Sequence, residues 1–418
     1  MSHELIRRCT MAHPKVLAFI LAGGKGERLF PLTAFRSKPS VPFGGRYRIV
    51  DFVLSNFVNS HIYSMYLLVQ YKSQSLIEHV RQNWVISSVT KEHFLAVVPP
   101  QMRMGPEWFQ GTADAVFQNI NLIQQQNPEI VIVFGADHIY RMDIRQMIDF
   151  HLSKNAYVTV AARPVPVEEA SQFGVIQTDS ERRIVGFQEK PKEPTPMPDD
   201  STRAYVSMGN YIFSKNVLLD SLVKAQSKKQ HDFGAHVIPD LIHTGKVFAY
   251  DFATNNIPET RSYEEVGYWR DVGTIPAYFN SHMDMLGHTP VFELDNKLWP
   301  IHPSTYKGPA TKVLGGEIKN SIIAEGVVIH NAHIRNSVIR SGVVIEDDVS
   351  IEDSIILDHV VIKKGSRLCR VIVDKLNVIN EGEEFGFDPE KDRFRCHIDS
   401  SGIAIIPRSG IIERAFKE

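Results

Sequence analysis

The sequence predicts an α/β fold in which a doubly wound, mainly parallel sheet is followed by a parallel β-helix. Apolar segments of strand length alternate with segments of helical periodicity from Val16 to about Leu286, which is typical of such a sheet. Apolar residues then recur every six positions between Glu317 and Val378, a period that fits neither a helix nor an alternating strand. The predicted organisation is an N-terminal arm (1–15), a first domain (16–286), a linker (287–312) and a β-helix domain (313–418).

The composition indicates large hydrophobic cores and no strong net charge. Of the 418 residues 43% are hydrophobic, and 46 Lys and Arg against 48 Asp and Glu give a net charge of −2. A chain of this length suggests two or three domains. Because nucleic acids and anionic membranes attract strongly basic proteins, the near balance of charge argues against both as partners.

The cysteines and the N-terminus indicate a cytoplasmic protein. Cys9, Cys369 and Cys396 are too few and too scattered for a disulfide framework or a zinc site. No apolar segment of a signal peptide precedes the first strand, and no run of about 18 apolar residues could span a membrane.

The first strand, residues 16–21, leads into a glycine-rich turn. The turn contains three glycines and two cations: Gly23, Gly24, Gly26, Lys25 and Arg28. Glycines let the backbone turn tightly and bring its N–H groups against an anion. The spacing matches neither a P-loop nor the usual dinucleotide fingerprint. We therefore expect a different kind of triphosphate-binding turn, although a plain turn is the alternative.

Further strands and helices continue the alternation. The predicted strands are residues 64–69, 130–134 and 156–161, and the predicted helices are residues 112–126 and 143–154. Ligands of doubly wound sheets bind at the carboxyl ends of the strands. Gly23 and Asp137 both fall at such ends, so we expect them to lie close together.

The C-terminal part has a different repeat. Residues 287–312 form a Pro-containing connector, after which Ile339, Ile345, Ile351 and Leu357 follow one another at six-residue intervals. This is the hexapeptide spacing of a parallel β-helix with three short strands per coil. It resembles the left-handed β-helix of hexapeptide-repeat proteins and leaves room for three or four coils. An ordinary β-meander is the alternative.

Two carboxylates are candidate ligands of a metal ion. Asp137 directly follows a buried strand, and Asp271 lies in a second motif far along the chain. Carboxylate oxygens are ligands that Mg²⁺ prefers. Mg²⁺ shared with a triphosphate would fix the geometry for in-line attack at the α-phosphorus. A helix cap or a turn is the alternative for either residue.

Other polar residues have less specific contexts. Glu189 and Lys190 end a predicted strand, where Lys190 could hold a sugar phosphate and Glu189 sugar hydroxyls; a solvated ion pair is the alternative. Thr112 is a candidate N-cap of the helix that it opens. Asp232 lies in an Asp-Phe-Gly sequence without the catalytic loop of a kinase before it, and we interpret it as local structure.

A set of motifs between Val16 and Pro407 carries a family resemblance. They include LAGGKGERL (21–29), RSKP (36–39), FGGRYRIVDF (43–52), WFQGTADA (108–115), GADHIY (135–140), EKP (189–191) and YWRDVGT (268–274). In this order they resemble the bacterial glucose-1-phosphate adenylyltransferases, which are sugar-phosphate nucleotidylyltransferases. The resemblance implies a nucleotidyltransferase sheet and a left-handed β-helix. It also implies Mg²⁺-dependent conversion of ATP and α-D-glucose 1-phosphate to ADP-glucose and pyrophosphate, the committed step of glycogen biosynthesis.

The resemblance also assigns roles to residues at matching positions. The implied catalytic residues are Asp137, Arg28 and Lys38, and the implied Mg²⁺ ligands are Asp137 and Asp271. The implied glucose 1-phosphate site comprises Phe109, Gly174, Glu189, Lys190 and Ser207. The implied nucleotide site comprises Leu21, Ala22, Gly23, Gly24, Gln70 and Gly111. The sugar phosphate is itself the nucleophile, so the resemblance implies no covalent enzyme intermediate.

Members of the family are typically allosteric homotetramers. A glycolytic intermediate activates them and AMP or phosphate inhibits them, and the resemblance implies an anionic effector site between the domains. The candidate residues are Arg36, Arg48, Arg367 and Arg370, for which a solvated surface is the alternative. Three departures leave the activator open: Phe109 replaces a common Tyr, Phe35 an activator-binding Lys, and Pro42 a His of the effector pocket.

Three other functions compete with this one. A nucleotidylyltransferase of another base or sugar specificity would share the first motif. A catalytically weak regulatory subunit would lack Asp137, Lys190 or the cations of the glycine turn, and all are present. A bifunctional acyltransferase is disfavoured by the few coils and by the lack of an evident catalytic His loop.

Overall fold

The computed structural model describes residues 14–86, 92–102 and 107–408. Residues 1–13 of the predicted N-terminal arm and residues 409–418 of the predicted β-helix domain lie outside the described residues. No helix within the described ranges combines the length and the apolar character needed to cross a membrane.

The first part of the chain alternates strands and helices, as predicted. Its strands are β1 Val16–Ala22, β2 Pro42–Phe43, β3 Tyr47–Arg48, β4 Ser64–Val69, β5 Phe94–Val98, β6 Ile130–Gly135, β7 His138–Tyr140, β8 Val158–Pro166, β9 Gly174–Thr178, β10 Ile184–Glu189, β11 Arg203–Ser214, β12 Val247–Asp251 and β13 Trp269–Asp271. Its helices are α1 Ile49–Asn59, α2 Gln74–Asn83, α3 Thr112–Phe117, α4 Ile120–Gln126, α5 Ile144–Ser153, α6 Val167–Ala170, α7 Lys215–Ser227, α8 Ile238–Ile242 and α9 Ile275–Met283. The one helix predicted over residues 112–126 is two helices, because Asn119 leaves the helical conformation and its side chain donates to the Ala115 carbonyl.

A nine-stranded sheet organises this part. The main strand order is β10-β9-β11-β6-β1-β4-β5, and β8 pairs with both β11 and β12. Strand β1 is parallel to both of its neighbours, β4 and β6. The long strand β11 is antiparallel to β6, β8 and β9, so a parallel half of the sheet adjoins a mixed half. The predicted fold class is confirmed.

Strand β1 is buried on both faces. Leu17 and Phe19 belong to a core cluster that includes residues of α3 and α7, whereas Ala18 and Ile20 belong to a cluster that includes residues of α1 and α5. Successive side chains of a strand point to opposite faces. Helices therefore cover both faces of the sheet, which is the doubly wound arrangement.

A small sheet brings two distant segments together. Strand β7 follows β6 after two residues and pairs antiparallel with β13, with His138 opposite Asp271. Asp137, which immediately precedes β7, therefore lies beside Asp271 at the edge of the main sheet.

The C-terminal part is a parallel β-helix with three sheets of five, five and six strands. Its strands are β14 Lys312–Val313, β15 Gly316–Lys319, β16 Ile322–Ile323, β17 Val328–Ile329, β18 Ala332–Arg335, β19 Val338–Ile339, β20 Val344–Ile345, β21 Val349–Glu352, β22 Ile355–Ile356, β23 Val361–Ile362, β24 Arg367–Cys369, β25 Val371–Val373, β26 Val378–Ile379, β27 Glu384–Phe385, β28 His397–Ile398 and β29 Ala404–Ile406. A short helix, α10 Pro389–Asp392, precedes β28, which is antiparallel to β29.

The hydrophobic repeat forms the interior of the β-helix. Ile329, Ile345, Ile362 and Ile379 pair in register and are buried in one core cluster. The prediction of three or four coils was too low, because two of the sheets hold five strands each. The additional strands lie at 312–313 and 384–385, outside the stretch in which the six-residue period is evident.

The β-helix packs closely on the first part of the chain. Ile355, Ile372 and Ile405, from neighbouring strands of its third sheet, share a core cluster with Leu29 and Phe43. A buried arginine reinforces this contact: Arg340 Nη1 donates to the carbonyls of Phe43, Gly44 and Tyr47 at 3.0, 2.8 and 2.9 Å, and Arg340 Nε pairs with Asp358 at 3.1 Å.

Candidate active site

A cavity of about 830 Å³ opens at the carboxyl ends of β1, β4 and β6. This is the edge at which doubly wound sheets bind ligands. Every residue assigned to the nucleotide lines it: Leu21, Ala22, Gly23, Gly24, Gln70 and Gly111. The residues assigned to catalysis, together with Phe109, also line it: Arg28, Lys38 and Asp137.

The glycine turn presents backbone and cations to the cavity. Gly26 has a φ of 65°, a left-handed conformation that favours glycine. Its carbonyl accepts hydrogen bonds from Leu29 N at 3.1 Å and Thr33 Oγ1 at 2.9 Å, which fix the turn. A Cβ added to Gly24 would meet no atom within 4 Å. The turn is therefore both rigid and open, as an anion site requires.

Gln70 and Gly111 shape further parts of the cavity wall. The Gln70 side chain accepts from Phe109 N at 2.7 Å and donates to the Phe109 carbonyl at 3.2 Å, so it fixes the backbone beside the cavity. A Cβ on Gly111 would lie 2.3 Å from the carbonyl oxygen of His231. Only glycine fits at position 111 without displacing residue 231.

Lys38 bridges the two predicted metal-ligating carboxylates. Its Nζ lies 2.6 Å from Asp271 Oδ1 and 3.1 Å from Asp137 Oδ2. The Lys38 side chain is only 7% exposed, because it enters the site from the buried turn Lys38–Ser40. Arg28, whose side chain is 72% exposed, approaches Asp271 Oδ2 to 3.6 Å. Three segments distant in sequence thus meet at one point.

The charges of this group stabilise one another. Burial by itself would raise the pKa of Asp137 and Asp271, but the positive charge of Lys38, with His138, lowers the pKa of both carboxyls below the usual range. Burial likewise opposes the charge of Lys38, and the two carboxylates outweigh it and raise the Lys38 pKa. All three groups are therefore charged at neutral pH.

The same carboxylates form a candidate metal site. Asp137, His138 and Asp271 each offer one ligand atom, and these atoms lie within 4.8 Å of one another. Two carboxylates and an imidazole suit a divalent cation, and Mg²⁺ in particular is often held by one or two carboxylates and substrate phosphates. The residues present therefore fit a divalent cation, which Asp137 and Asp271 would hold while also pairing with Lys38.

The predicted sugar-phosphate residues lie beside the cavity. Glu189 pairs with Gly174 across β10 and β9, and Lys190 Nζ lies 3.7 Å from Glu189 Oε1. Ser207 lies at the bulge of β11, where its hydroxyl accepts from Gly209 N at 3.2 Å. Within the described residues, none of these four lines the cavity wall itself.

Comparison with known proteins gives the family. Residues 17–287 match the family model described as nucleotidyl transferase, and residues 309–406 match the one described as GlmU-like, C-terminal hexapeptide. A protein of Thermodesulfovibrio yellowstonii named glucose-1-phosphate adenylyltransferase is 70% identical over 97% of this chain and 99% of its own length. The chain belongs to the glucose-1-phosphate adenylyltransferase family. Two further proteins of this name, from Anaeromyxobacter sp. and Photobacterium profundum, are 45% and 44% identical over 96% and 95% of this chain and 99% of their own lengths.

In this member of the glucose-1-phosphate adenylyltransferase family, Tyr211 links the cavity to the sugar-phosphate residues. Tyr211 lines the cavity, and its pKa is raised by burial first and then by the charges of Asp232 and Glu189, while the Ser207 side chain opposes the shift. No motif in the sequence marks Tyr211 as part of a ligand site. Tyr211 follows directly after the irregularity in the β11–β8 pairing between Ser207 and Tyr211.

Asp232 was predicted to have only a local structural role, and the structure gives it this role and a second one at the cavity. Its Oδ1 accepts from Ala235 N at 2.9 Å and caps the π-helix Phe233–Val237. Asp232 also lines the cavity. A tertiary contact, invisible in the sequence, therefore adds a carboxylate to the site.

The assignment of Thr112 as an N-cap was wrong. Gly111 occupies the N-cap position of α3, and Thr112 is the first residue of the helix. The Thr112 hydroxyl instead donates to Asp232 Oδ2 at 2.9 Å and accepts from Phe233 N at 3.0 Å. The hydroxyl therefore contacts a segment distant in sequence instead of capping the helix.

The candidate effector arginines fall into two settings. Arg36 forms a buried ion pair with Asp374 of the β-helix, and Arg48 donates to the Ser75 carbonyl and hydroxyl, both at 2.9 Å. By contrast, Arg367 is on an exposed face of the β-helix, paired with a glutamate at 2.8 Å, and Arg370 approaches a carbonyl at 3.5 Å. Of these four residues, Arg36 and Arg48 act on Lys375, whose pKa is lowered by burial and then by their charges.

Proposed function

We propose that this protein transfers the adenylyl group of ATP to α-D-glucose 1-phosphate, releasing ADP-glucose and pyrophosphate. The observation that carries the proposal is one cavity with a glycine turn and cations on one side, sugar-type hydrogen-bonding groups beside the other, and the Lys38–Asp137–Asp271 group between them. The family membership supports the same reaction.

The chain's own groups would act by positioning and by stabilising charge. The backbone of residues 21–24 would receive the nucleotide, with Gln70 fixing the backbone of Phe109 beside it. Arg28 and Lys38 would stabilise the charge that develops on the departing pyrophosphate. The phosphate oxygen of the sugar phosphate attacks the α-phosphorus in line, so no covalent enzyme intermediate forms. Asp137 and Asp271 would hold Mg²⁺, which neutralises phosphate charge when bound.

The sugar phosphate would bind beside the cavity. The side chain of Lys190 is 65% exposed, and its ammonium can meet a phosphate monoester as a point charge. Glu189, Ser207 and Tyr211 offer hydrogen-bonding groups that suit sugar hydroxyls. Phe109 presents an apolar ring near the same region, and its backbone is fixed by Gln70.

We further propose that anionic effectors bind between the two parts of the chain. Burial lowers the pKa of Arg48 to about 10, and burial followed by the charges of Arg36, Arg48 and Arg408 lowers the pKa of Lys375. Crowded cations that repel one another are a setting that a bound anion relieves. A glycolytic intermediate as activator, AMP or phosphate as inhibitor, a homotetramer and a cytoplasmic role in glycogen biosynthesis complete the proposal.

The test of the reaction is pyrophosphate release with Mg²⁺, glucose 1-phosphate and each nucleoside triphosphate in turn. Release that is selective for ATP supports the adenylyltransferase. A preference for UTP, TTP or GTP would favour a nucleotidylyltransferase of other specificity. No release with any triphosphate would leave the weak regulatory subunit as the better account.

The effector site has a separate test. Lys375→Gln removes one crowded cation, and we expect it to weaken the response to whichever glycolytic intermediate activates the wild type. Lys312→Gln, on an exposed strand of the β-helix, is the matched control. An unchanged activation curve for Lys375→Gln would contradict the placement of the site.

A further inference from the structure

The hydroxyl of Thr112 connects two segments that line the cavity. Thr112 follows Gly111, and its Oγ1 donates to Asp232 Oδ2 at 2.9 Å while it accepts from Phe233 N at 3.0 Å. A hydroxyl that donates and accepts at the same time has a fixed orientation. The side chain therefore ties the start of α3 to residues 232–233, more than a hundred positions further along the chain.

The backbone makes a second connection between the same segments. The His231 carbonyl accepts from Ala113 N at 2.8 Å and from Asp114 N at 3.2 Å. Gly111 packs against the same carbonyl so closely that no side chain fits there. Residues 231–233 are thus docked on the first turn of α3, and the Thr112 hydroxyl is the part of this contact that reaches a cavity carboxylate.

Both oxygens of Asp232 are held. Oδ1 caps the π-helix and Oδ2 accepts from Thr112, which leaves further lone pairs for a ligand. Short π-helical turns are rare and often occur at functional sites. Asp232 Oδ1 and the Tyr211 hydroxyl are neighbours, because a Cβ added to Gly234 would lie 3.5 Å from each of them. Burial raises the pKa of Tyr211, and the charges of Asp232 and Glu189 raise it further. The carboxylate therefore lies near Tyr211, toward the predicted sugar-phosphate residues.

We propose that Thr112 is a positioning residue for the hexose. Its hydroxyl holds Asp232 in the orientation in which the carboxylate accepts a hydrogen bond from a hydroxyl of the sugar phosphate. The inference rests on the proposed function, and it adds a specific residue that transmits the position of α3 to the sugar side. The Thr112–Asp232 hydrogen bond joins two side chains that are not assigned to the nucleotide, although Gly111, which is, packs against His231 next to it. We therefore expect the larger effect on the sugar phosphate.

The first experiment compares steady-state kinetics of the wild type, Thr112→Val and Thr112→Ser. Valine keeps the shape and removes the hydroxyl, and we expect the KM for glucose 1-phosphate to rise roughly tenfold, as loss of a hydrogen bond to a charged group would cause. We expect the KM for ATP to stay within about twofold of the wild type, a factor too small for a lost hydrogen bond. Serine keeps the hydroxyl and should restore most of the sugar-phosphate affinity. Equal rises in both KM values, or none, would overturn the inference.

The matched control is Thr202→Val. Thr202 Oγ1 also donates to an aspartate, Asp200, at 2.6 Å, but in an exposed turn outside the cavity lining. The control should leave both KM values unchanged. If Thr112→Val does not fold, as judged by its melting curve, Thr112→Ala removes the same hydroxyl and puts no methyl group in its place.

A double-mutant cycle with Asp232→Asn separates positioning from a general effect. If Thr112 acts through Asp232, adding Thr112→Val to Asp232→Asn should change the glucose 1-phosphate KM little further. Fully additive effects would refute the coupling. An inactive wild type would instead refute the proposed function, whereas an active wild type with an unaffected valine variant would refute only this inference.

Discussion

Asp137 belongs to the charged group of the candidate active site. Its carboxylate lies 3.1 Å from Lys38 Nζ and belongs to the group that can hold a divalent cation. Asp137→Asn keeps the size and removes the charge, and we expect turnover to fall by roughly a thousandfold or more, a typical loss for a group that stabilises developing charge. The variant should keep the far-ultraviolet spectrum of the wild type, and full activity would disprove the assignment.

Lys38 neutralises two carboxylates that would otherwise repel each other. In Lys38→Met, Asp137 and Asp271 face each other without a cation, so we expect the melting temperature in EDTA to fall below that of the wild type. Added Mg²⁺ should restore much of the loss, because it replaces the missing positive charge. Lys25→Met, whose side chain is 67% exposed in the wild type, should show neither change. A melting temperature of Lys38→Met that is insensitive to Mg²⁺ would argue against a shared cation site.

At this scale the sequence predicted the residues that stand in long motifs. The glycine turn, Asp137 and Asp271 are recognisable because neighbouring residues mark them, and the structure brings all of them to one edge of the sheet. Tyr211 and Asp232 carry no such mark. Their place depends on the bulge of β11 and on the docking of residue 231 against α3, which only the folded chain defines.

The start of α3 requires a glycine. A Cβ at position 111 would lie 2.3 Å from the His231 carbonyl, so we expect Gly111→Ala to lower the free energy of unfolding by roughly 1–3 kcal/mol, as overpacking does. Gly24→Ala is the control, because its added Cβ meets no atom within 4 Å. Denaturant titration of both variants measures the difference. Equal stabilities would mean that α3 and residue 231 separate easily.

The secondary structure was predictable where the pattern of apolar residues alone determined it. Strand β1 and its neighbours followed from apolar runs, and the β-helix followed from a six-residue repeat. The helix at 112–126 was divided because Asn119 has a side-chain alternative to the helix, and the outermost coils escaped detection because their apolar repeat is weaker. Strand β11 is antiparallel to its neighbour β6. The alternation of strands and helices in the sequence does not reveal the direction of a strand in the sheet.

Arg340 is one of the buried groups at the contact between the two parts of the molecule. Arg340→Met would leave Asp358 without its cation and three backbone carbonyls without their donor, so we expect a loss of about 3–5 kcal/mol in the free energy of unfolding. Arg335→Met breaks an exposed ion pair with Glu352 on another face of the β-helix and should cost less than about 1 kcal/mol. Similar losses for the two variants would show that Arg340 is not central to the contact.

Acid should weaken the same contact. Burial alone would raise the pKa of Asp358, but the charge of Arg340 outweighs it and the pKa is lowered. A carboxyl with a lowered pKa stabilises the fold fully above its unfolded pKa of about 4, and this stabilisation is lost as the pH falls through the lower folded value. We expect Asp358→Asn to flatten the stability profile below about pH 4 relative to the wild type. An identical profile would contradict this role of Asp358.

The stacked isoleucines of the β-helix would allow its length to change by whole coils. Each coil repeats the same three strands and presents the same buried column to the next, so one complete coil inserted between the outermost two would extend the stack by about 4.8 Å. The Arg340 contact lies on inner coils and would keep its partners. The length of the β-helix can therefore change by whole coils, each adding the same increment. The contact with the catalytic part stays in place, because it lies on coils that such a change does not touch.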